Sequence, residues 1–388
     1  MDIAVVTGPA GLVGGEAVRV LSPRFDLVVG LGSPPRRATS ADVHYHPVDL
    51  RDPAAVDRAL RDYGTDVRLV VHTAAHPGSA LPATDAPPSL DSAALVTVNL
   101  LEAVRAHCPD AVFVLDSTVD VYGDASAALP LVETTTRWEL DPAHPWHAHG
   151  VDESIRLDRA DRAFPAVSVL AADLAAQNHG RRYGLNVGVF RSGPVTSARW
   201  APPGRHGFLS DLVRDAVRGT PFTIRGHGGK QVRDVLDAAD LVEMFWHYCL
   251  APRPGAVYHA GGGRARGHSV LEVIGEYEHL TGREVPFEYA PEAGYADARW
   301  WLTDTRRFRR DYPDWRPTRG LVDLLAAAHR YWSGFGRVRP GSVGSGPVGS
   351  GPVPPGADDV LGPAATGFAA TGLVADCREQ PCTAETAL

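Results

Sequence analysis

A doubly wound α/β fold around a parallel sheet is predicted by three features of this 388-residue sequence. From Met1 to about Trp200, short apolar runs alternate with helix-patterned stretches, a glycine-rich turn follows the first run, and 44% hydrophobic residues supply a full core. A strand covered on both faces reads as an unbroken apolar run rather than an alternating one. Ile3 to Thr7, Leu27 to Leu31, Leu69 to Thr73, Ala111 to Asp116 and Val187 to Arg191 have that form. Between them, Glu16 to Leu21, Pro53 to Tyr63, Leu95 to His107 and Val167 to Tyr183 carry helical spacing, which predicts helices on both faces of the sheet.

The organisation predicts a dinucleotide-binding domain over 1–200, with part of 201–260 able to return to it, and a smaller α/β substrate-binding domain over 201–333. Residues 334–388 hold a Gly-Ser-Pro run with too little apolar surface to offset chain entropy, so a flexible tail is expected there. A net charge of -8 gives no general attraction for nucleic acid or anionic membrane. The N-terminal residues lack a signal-peptide pattern, and no apolar stretch is long enough to span a bilayer. Cys108, Cys249, Cys377 and Cys382 have no metal or redox spacing, so a reducing, cytoplasmic setting is expected. No metal site is expected either, because His144, His147 and His149 lack acidic partners at ligand spacing.

The turn is Thr7-Gly8-Pro9-Ala10-Gly11-Leu12-Val13-Gly14, placed between a strand and a helix as in a Rossmann-type fold. Gly8 permits the tight turn, Gly11 lets backbone approach a pyrophosphate, and Gly14 lets helix and strand pack closely. Ala10 and Leu12 lie in the same backbone cradle. Asp49 and Leu50 follow the expected third strand, where a carboxylate and adjacent backbone can meet an adenine, while Ala74 and Ala75 end the next strand with small residues that let a cofactor pass. The second strand ends in Gly30-Leu31-Gly32 instead of an acidic ribose ligand, and Arg36 and Arg37 follow. Those arginines suit a 2′-phosphate as well as solvent, so the cofactor is NAD or NADP.

Further motifs resemble the extended short-chain dehydrogenase/reductase family, also called the NAD-dependent epimerase/dehydratase family. Val114-Leu115-Asp116-Ser117-Thr118-Val119-Asp120-Val121-Tyr122-Gly123 is similar to the strand bearing that family's catalytic Ser or Thr, which implies that role for Thr118. Gly229-Lys230-Gln231-Val232-Arg233-Asp234-Val235-Leu236 is similar to the segment that closes over a nucleotide-sugar diphosphate, with Arg233 on phosphate. The resemblance covers Met1 to Trp332 and implies a cofactor contact for Asn99 and substrate contacts for Lys230, Gln231 and Arg299. It also implies a homodimer through the helices around Leu95 to His107 and Val167 to Tyr183. Within the family, Gly219-Thr220-Pro221-Phe222-Thr223-Ile224 and Gly150-Val151-Asp152-Glu153-Ser154 are most similar to a subgroup of nucleotide-sugar 2-epimerases.

One departure bears on mechanism. Removing hydride from an alcohol requires a base for its proton, and the family uses a Tyr whose pKa is lowered by a Lys one helical turn later. Here those two positions fall on Pro165 and Val169, and Lys230 is the only lysine in the chain. Three readings follow: a substitute base such as His147 or His149, a changed reaction in which the substrate supplies acidic protons, or a silenced relative that binds nucleotide and acts through a partner. The intact glycine turn places the enzyme readings first. The expected substrate is a small nucleotide-linked or phosphorylated sugar, although Gly294 stands where relatives often carry a phosphate-binding Arg. Of Trp300 and Trp301, alternation allows at most one to line the pocket, and core packing accounts for the other.

Overall fold

The computed structural model describes residues 1–32, 43–74, 91–158, 160–162, 164–197, 207–290 and 298–335. The chain runs β1 (Ile3–Thr7), α1 (Leu12–Leu21), β2 (Leu27–Leu31), β3 (Val43–His46), α2 (Pro53–Tyr63), β4 (Val67–His72), α3 (Val96–His107) and β5 (Val112–Thr118). A short hairpin, β6 (Leu131–Glu133) with β7 (Trp138–Leu140), precedes α4 (Phe164–Tyr183), β8 (Asn186–Ser192) and β9 (Val195–Thr196). Then come α5 (Gly207–Arg218), β10 (Phe222–Arg225), β11 (Val232–Asp234), β12 (Leu236–Asp237), α6 (Ala238–Leu250) and β13 (Ala256–Ala260). The last elements are β14 (Gly267–Ser269), α7 (Val270–Thr281), β15 (Phe287–Ala290), β16 (Trp300–Trp301), α8 (Arg306–Asp311) and α9 (Leu321–Phe335).

Seven strands pair in parallel in the order β13-β8-β5-β4-β1-β2-β3. After β1 the chain first builds outward through β2 and β3, then crosses back to β4 on the other side. That reversal opens a crevice at the carboxyl ends of β1 and β4, where open α/β sheets bind ligands. The period-2 alternation of each strand supplies two cores. Ile3 and Val5 face a cluster with Val56 and Leu60 of α2, Leu100 and Val104 of α3, and Val169 and Ala176 of α4. Ala4 and Val6 face a second cluster with Val18 and Leu21 of α1 and Leu241 and Phe245 of α6. Each fully buried aliphatic side chain of this kind contributes about 1.5–3 kcal/mol relative to exposure.

Residues 236–260 return to the sheet, with α6 packing on α1 and β13 extending the edge beside β8. A third core gathers Leu209, Leu212 and Val213 of α5, Ile224 of β10, Val273 and Ile274 of α7, and Leu324 and Leu325 of α9. Helix α9 continues through Gly334 to Phe335, past the expected onset of the tail, and residues 336–388 lie outside the described residues. Among the described residues, no helix is long and apolar enough to cross a membrane, and no group of three or more His, Cys, Asp or Glu could hold a metal ion.

Candidate active site

At the β1–β4 crevice, Gly8 has φ +63° and its N–H donates to Leu31 O at 3.2 Å, fixing the turn against β2. A Cβ on Gly14 would lie 2.1 Å from Gly8 O and 2.9 Å from Thr73 Oγ1, so only glycine permits this approach of helix to turn. Gly11 is the N-cap of α1 and supplies no capping side chain. The N–H groups at the start of α1, with Ala10 and Leu12 half-buried beside them, are therefore available to a phosphate.

Next to this turn, the Thr7 hydroxyl accepts from the backbone N–H of Thr73 and of Ala74, both at 3.2 Å, so it donates to His72 Nδ1 at 2.7 Å. Thr97 Oγ1 donates to Ala93 O at 2.6 Å and meets His72 Nε2 at 3.0 Å, so Nε2 carries the ring proton. This buried chain ties the ends of β1 and β4 to the start of α3 and fixes Ala74. Asn99 Nδ2 donates to Leu50 O at 3.0 Å and to Arg51 O at 3.3 Å, holding the turn after β3. The Asp49 carboxylate is exposed and is bound by the Arg51 guanidinium at 2.8 Å and 3.0 Å, which holds its pKa down at about 2. The structure therefore pairs that carboxylate with its neighbour, and Leu50 contributes a buried core side chain as well as a carbonyl. Arg36, Arg37, Ala75 and Gly294 lie outside the described residues.

Thr118 ends β5 opposite Ser192 and is buried. Its Oγ1 accepts from Asp120 N at 3.1 Å and so caps the 3-10 turn that follows, leaving the hydroxyl hydrogen as a donor. On α4, Pro165 is exposed in the first turn, where the lost N–H costs little, and Val169 is 2% exposed within the apolar cluster. Val169, where the sequence comparison expects the family's ammonium, is thus a core residue.

A buried polar network near Thr118 was not legible in the sequence. Asp173 of α4 accepts from Arg191 Nε at 2.9 Å and Nη2 at 2.8 Å, and from Ser117 Oγ at 2.9 Å. Arg191 Nη1 donates to Tyr122 Oη at 2.7 Å, and Tyr122 Oη lies 2.7 Å from His259 Nε2. Because Val151 O can only accept, His259 donates from Nδ1 at 3.0 Å and receives the Tyr122 proton at Nε2. Burial pushes the Tyr122 phenol up to about 12 and His259 down to about 4, so both are neutral near pH 7. Tyr122, the phenol of the Thr118 turn, is therefore a structural donor rather than a replacement base. An arginine ending an otherwise apolar strand and an aspartate within an apolar helix were the available signals, but pairing them requires the fold.

On the substrate side, β11 lies between β14 and β16, with Arg233 opposite both His268 and Trp301. Alternation then places Gln231, Arg233, His268, Arg299 and Trp301 on one face. Trp301 stacks on Tyr122 with ring centroids 5.5 Å apart, so this face abuts the Thr118 turn. Trp300 points the other way, and its Nε1 donates to Glu139 at 3.0 Å; both indoles are buried. The Asp234 and Asp237 carboxylates accept from Gly263 N and Thr303, and from Ala239 N and Arg319. Lys230 Nζ donates to Glu133 at 2.8 Å and Thr134 O at 3.0 Å, which makes it a clamp on the β6–β7 hairpin. His147 Nε2 accepts from Arg264 at 3.4 Å, whereas His149 is exposed.

A parallel sheet with a glycine turn at its reversal point defines a dinucleotide-binding class of fold. The profile of the NAD dependent epimerase/dehydratase family matches residues 4–150 and 158–261, and the chain belongs to that family. It is 28% identical over 332 residues to the CDP-paratose 2-epimerase of Salmonella typhi, covering 81% of this chain and 94% of that protein. Among solved structures, MoeE5 in complex with UDP-glucuronic acid and NAD is 26% identical, with a TM-score of 0.66 over 85% of this chain and 98% of that one. The UDP-glucose 4-epimerase of Thermus thermophilus, in complex with NAD, shares the fold at 24% identity, with a TM-score of 0.69 over 86% and 99%.

Proposed function

We propose that this protein holds NAD at the Gly8–Gly14 turn and modifies a nucleotide-linked or phosphorylated sugar by epimerase/dehydratase-type redox chemistry, in the cytoplasm. The observation that carries this reading is the contact between the two halves of the site, where Trp301 on the arginine-bearing face stacks on Tyr122 of the Thr118 turn. A substrate phosphate bound by Arg233 then leaves its sugar beside the Thr118 hydroxyl. NAD, when bound, supplies the hydride acceptor and donor. Thr118, already capping Asp120 N, donates its hydrogen to the reacting oxygen. Gly8, Ala10, Gly11, Leu12 and Gly14 cradle phosphate, and Asn99, Leu50 and Asp49 shape the adenosine side.

Proton transfer is assigned to a group other than a Tyr-Lys pair. His149, exposed on the loop before α4, is placed ahead of His147, whose Nε2 is engaged by Arg264. A second reading, retention of nucleotide without turnover, is favoured by the apolar burial of Val169. Incubation of the purified protein with CDP- and UDP-linked sugars separates the two, with cofactor redox state and sugar configuration followed by absorbance and NMR. Turnover supports the first reading; bound NAD with no change in any sugar supports the second. The assembly proposed is a homodimer through α3 and α4, where Leu174 of α4 is 50% exposed.

A further inference from the structure

The chain leading into α4 is clipped to the turn that carries Thr118. Gly123 in that turn has φ +57°, and a Cβ there would lie 2.1 Å from Asp161 O and 2.7 Å from Arg162 Cγ, so the two segments meet closer than a side chain allows. Asp124 N donates to Asp161 O at 3.0 Å, and Asp161 N donates in return to Asp124 Oδ1 at 2.9 Å. Beside this pair, the half-buried Arg162 guanidinium donates from Nε to Val121 O at 2.6 Å, from Nη1 to Ala160 O at 2.8 Å and from Nη2 to Leu157 O. All three acceptors are backbone carbonyls, so the rigid planar fork fixes chain geometry on both sides of the contact.

We propose that Arg162 is a positioning residue for Thr118, stapling its turn to the chain that enters α4. Thr118 Oγ1 accepts from Asp120 N, so the direction of its hydroxyl follows the backbone of the turn, and Arg162 binds that backbone one residue further on, at Val121 O. The buried network reaches the same turn only through the side chains of Ser117 and Tyr122. Arg162 and Asp124 hold its backbone instead, three residues ahead of Pro165, where the sequence lacks a Tyr. A hydroxyl donor aimed in this way meets the reacting oxygen without first paying to order its own loop. This inference rests on the redox reading above and names the side chain that aims its hydroxyl donor.

The test combines peptide-resolved hydrogen exchange with turnover of CDP- and UDP-linked sugars, on the full-length protein and on Arg162→Ala and Arg162→Lys. In Arg162→Ala, amides of residues 119–124 are expected to exchange roughly tenfold faster, while those of the Gly8–Gly14 turn keep their parent rates. The same variant is expected to lose about tenfold to a hundredfold in kcat with KM little changed, and Arg162→Lys, whose ammonium still reaches a carbonyl, to recover part of that loss. Unaltered exchange over 119–124, acceleration spread evenly through the chain, or a loss carried by KM overturns the assignment. If Arg162→Ala fails to fold by circular dichroism, Asp124→Ala, at an exposed position and removing only the acceptor for Asp161 N, decides by the same exchange pattern. A parent that turns over no sugar overturns the redox reading, and the exchange pattern then accepts or rejects the staple by itself.

Discussion

Gly14 and Gly11 stand three residues apart yet answer to different constraints. A Cβ on Gly14 strikes the backbone oxygen of Gly8 at 2.1 Å, whereas one on Gly11 meets the same atom at 3.2 Å, which a small shift relieves. Gly14→Ala should therefore lower stability by about 1–3 kcal/mol and empty the cofactor site, while Gly11→Asp should leave the unfolding midpoint nearly unchanged and still abolish NAD binding by charge repulsion. Thermal unfolding and NAD content of the two purified variants check this. The residue types of the turn are readable in sequence because the backbone geometry admits so few alternatives. The Asp173–Arg191–Tyr122–His259 network is not, since its members come from separate elements and a sequence does not say which buried charges meet.

Among the elements, β1, β2 and α2 have the bounds their sequence patterns predict, because a strand buried on both faces is an unbroken apolar run and α2 opens with Asp52 capping Ala54 N and Ala55 N ahead of a clean amphipathic pattern. Helix α1 begins at Leu12, ahead of its predicted start at Glu16, because the glycines that weaken a helix pattern are here packed against the turn. The β6–β7 and β10–β15 pairs escaped prediction since strands of three or four residues carry too little periodicity. Helix α4 supports two expectations. Pro165→Tyr with Val169→Lys places an ammonium in the apolar cluster; urea unfolding should register a loss of several kcal/mol, and no strong epimerase activity should appear. Leu174 is 50% exposed on the outer face, and Leu174→Glu should halve the molar mass in light scattering while far-ultraviolet dichroism stays the same.

For the whole molecule, the buried network sets an acid limit on stability. His259, surrounded by Tyr122, Arg191, Asp152, Glu153 and Asp304, is held by burial at about 4 against an ordinary 6.5, so the unfolded chain binds a proton that the folded one refuses between those values. Its contribution is complete above pH 6.5 and falls as pH drops toward 4, by about 3 kcal/mol in all. Glu153 and Asp234 act with the opposite sign, because burial raises their carboxyls and their contribution is lost as pH rises through the carboxylate range. Urea midpoints measured from pH 7 to pH 4 should decline. His259→Gln should flatten that decline; an unchanged slope would remove His259 from the account.

We propose that the Gly8–Gly14 turn holds NAD although the sequence contains no Tyr-x-x-x-Lys pair. Denaturing mass spectrometry of freshly purified protein tests it most directly. Release of NAD, about one per chain, is the predicted result; protein that carries no dinucleotide and binds none in titration would contradict the claim.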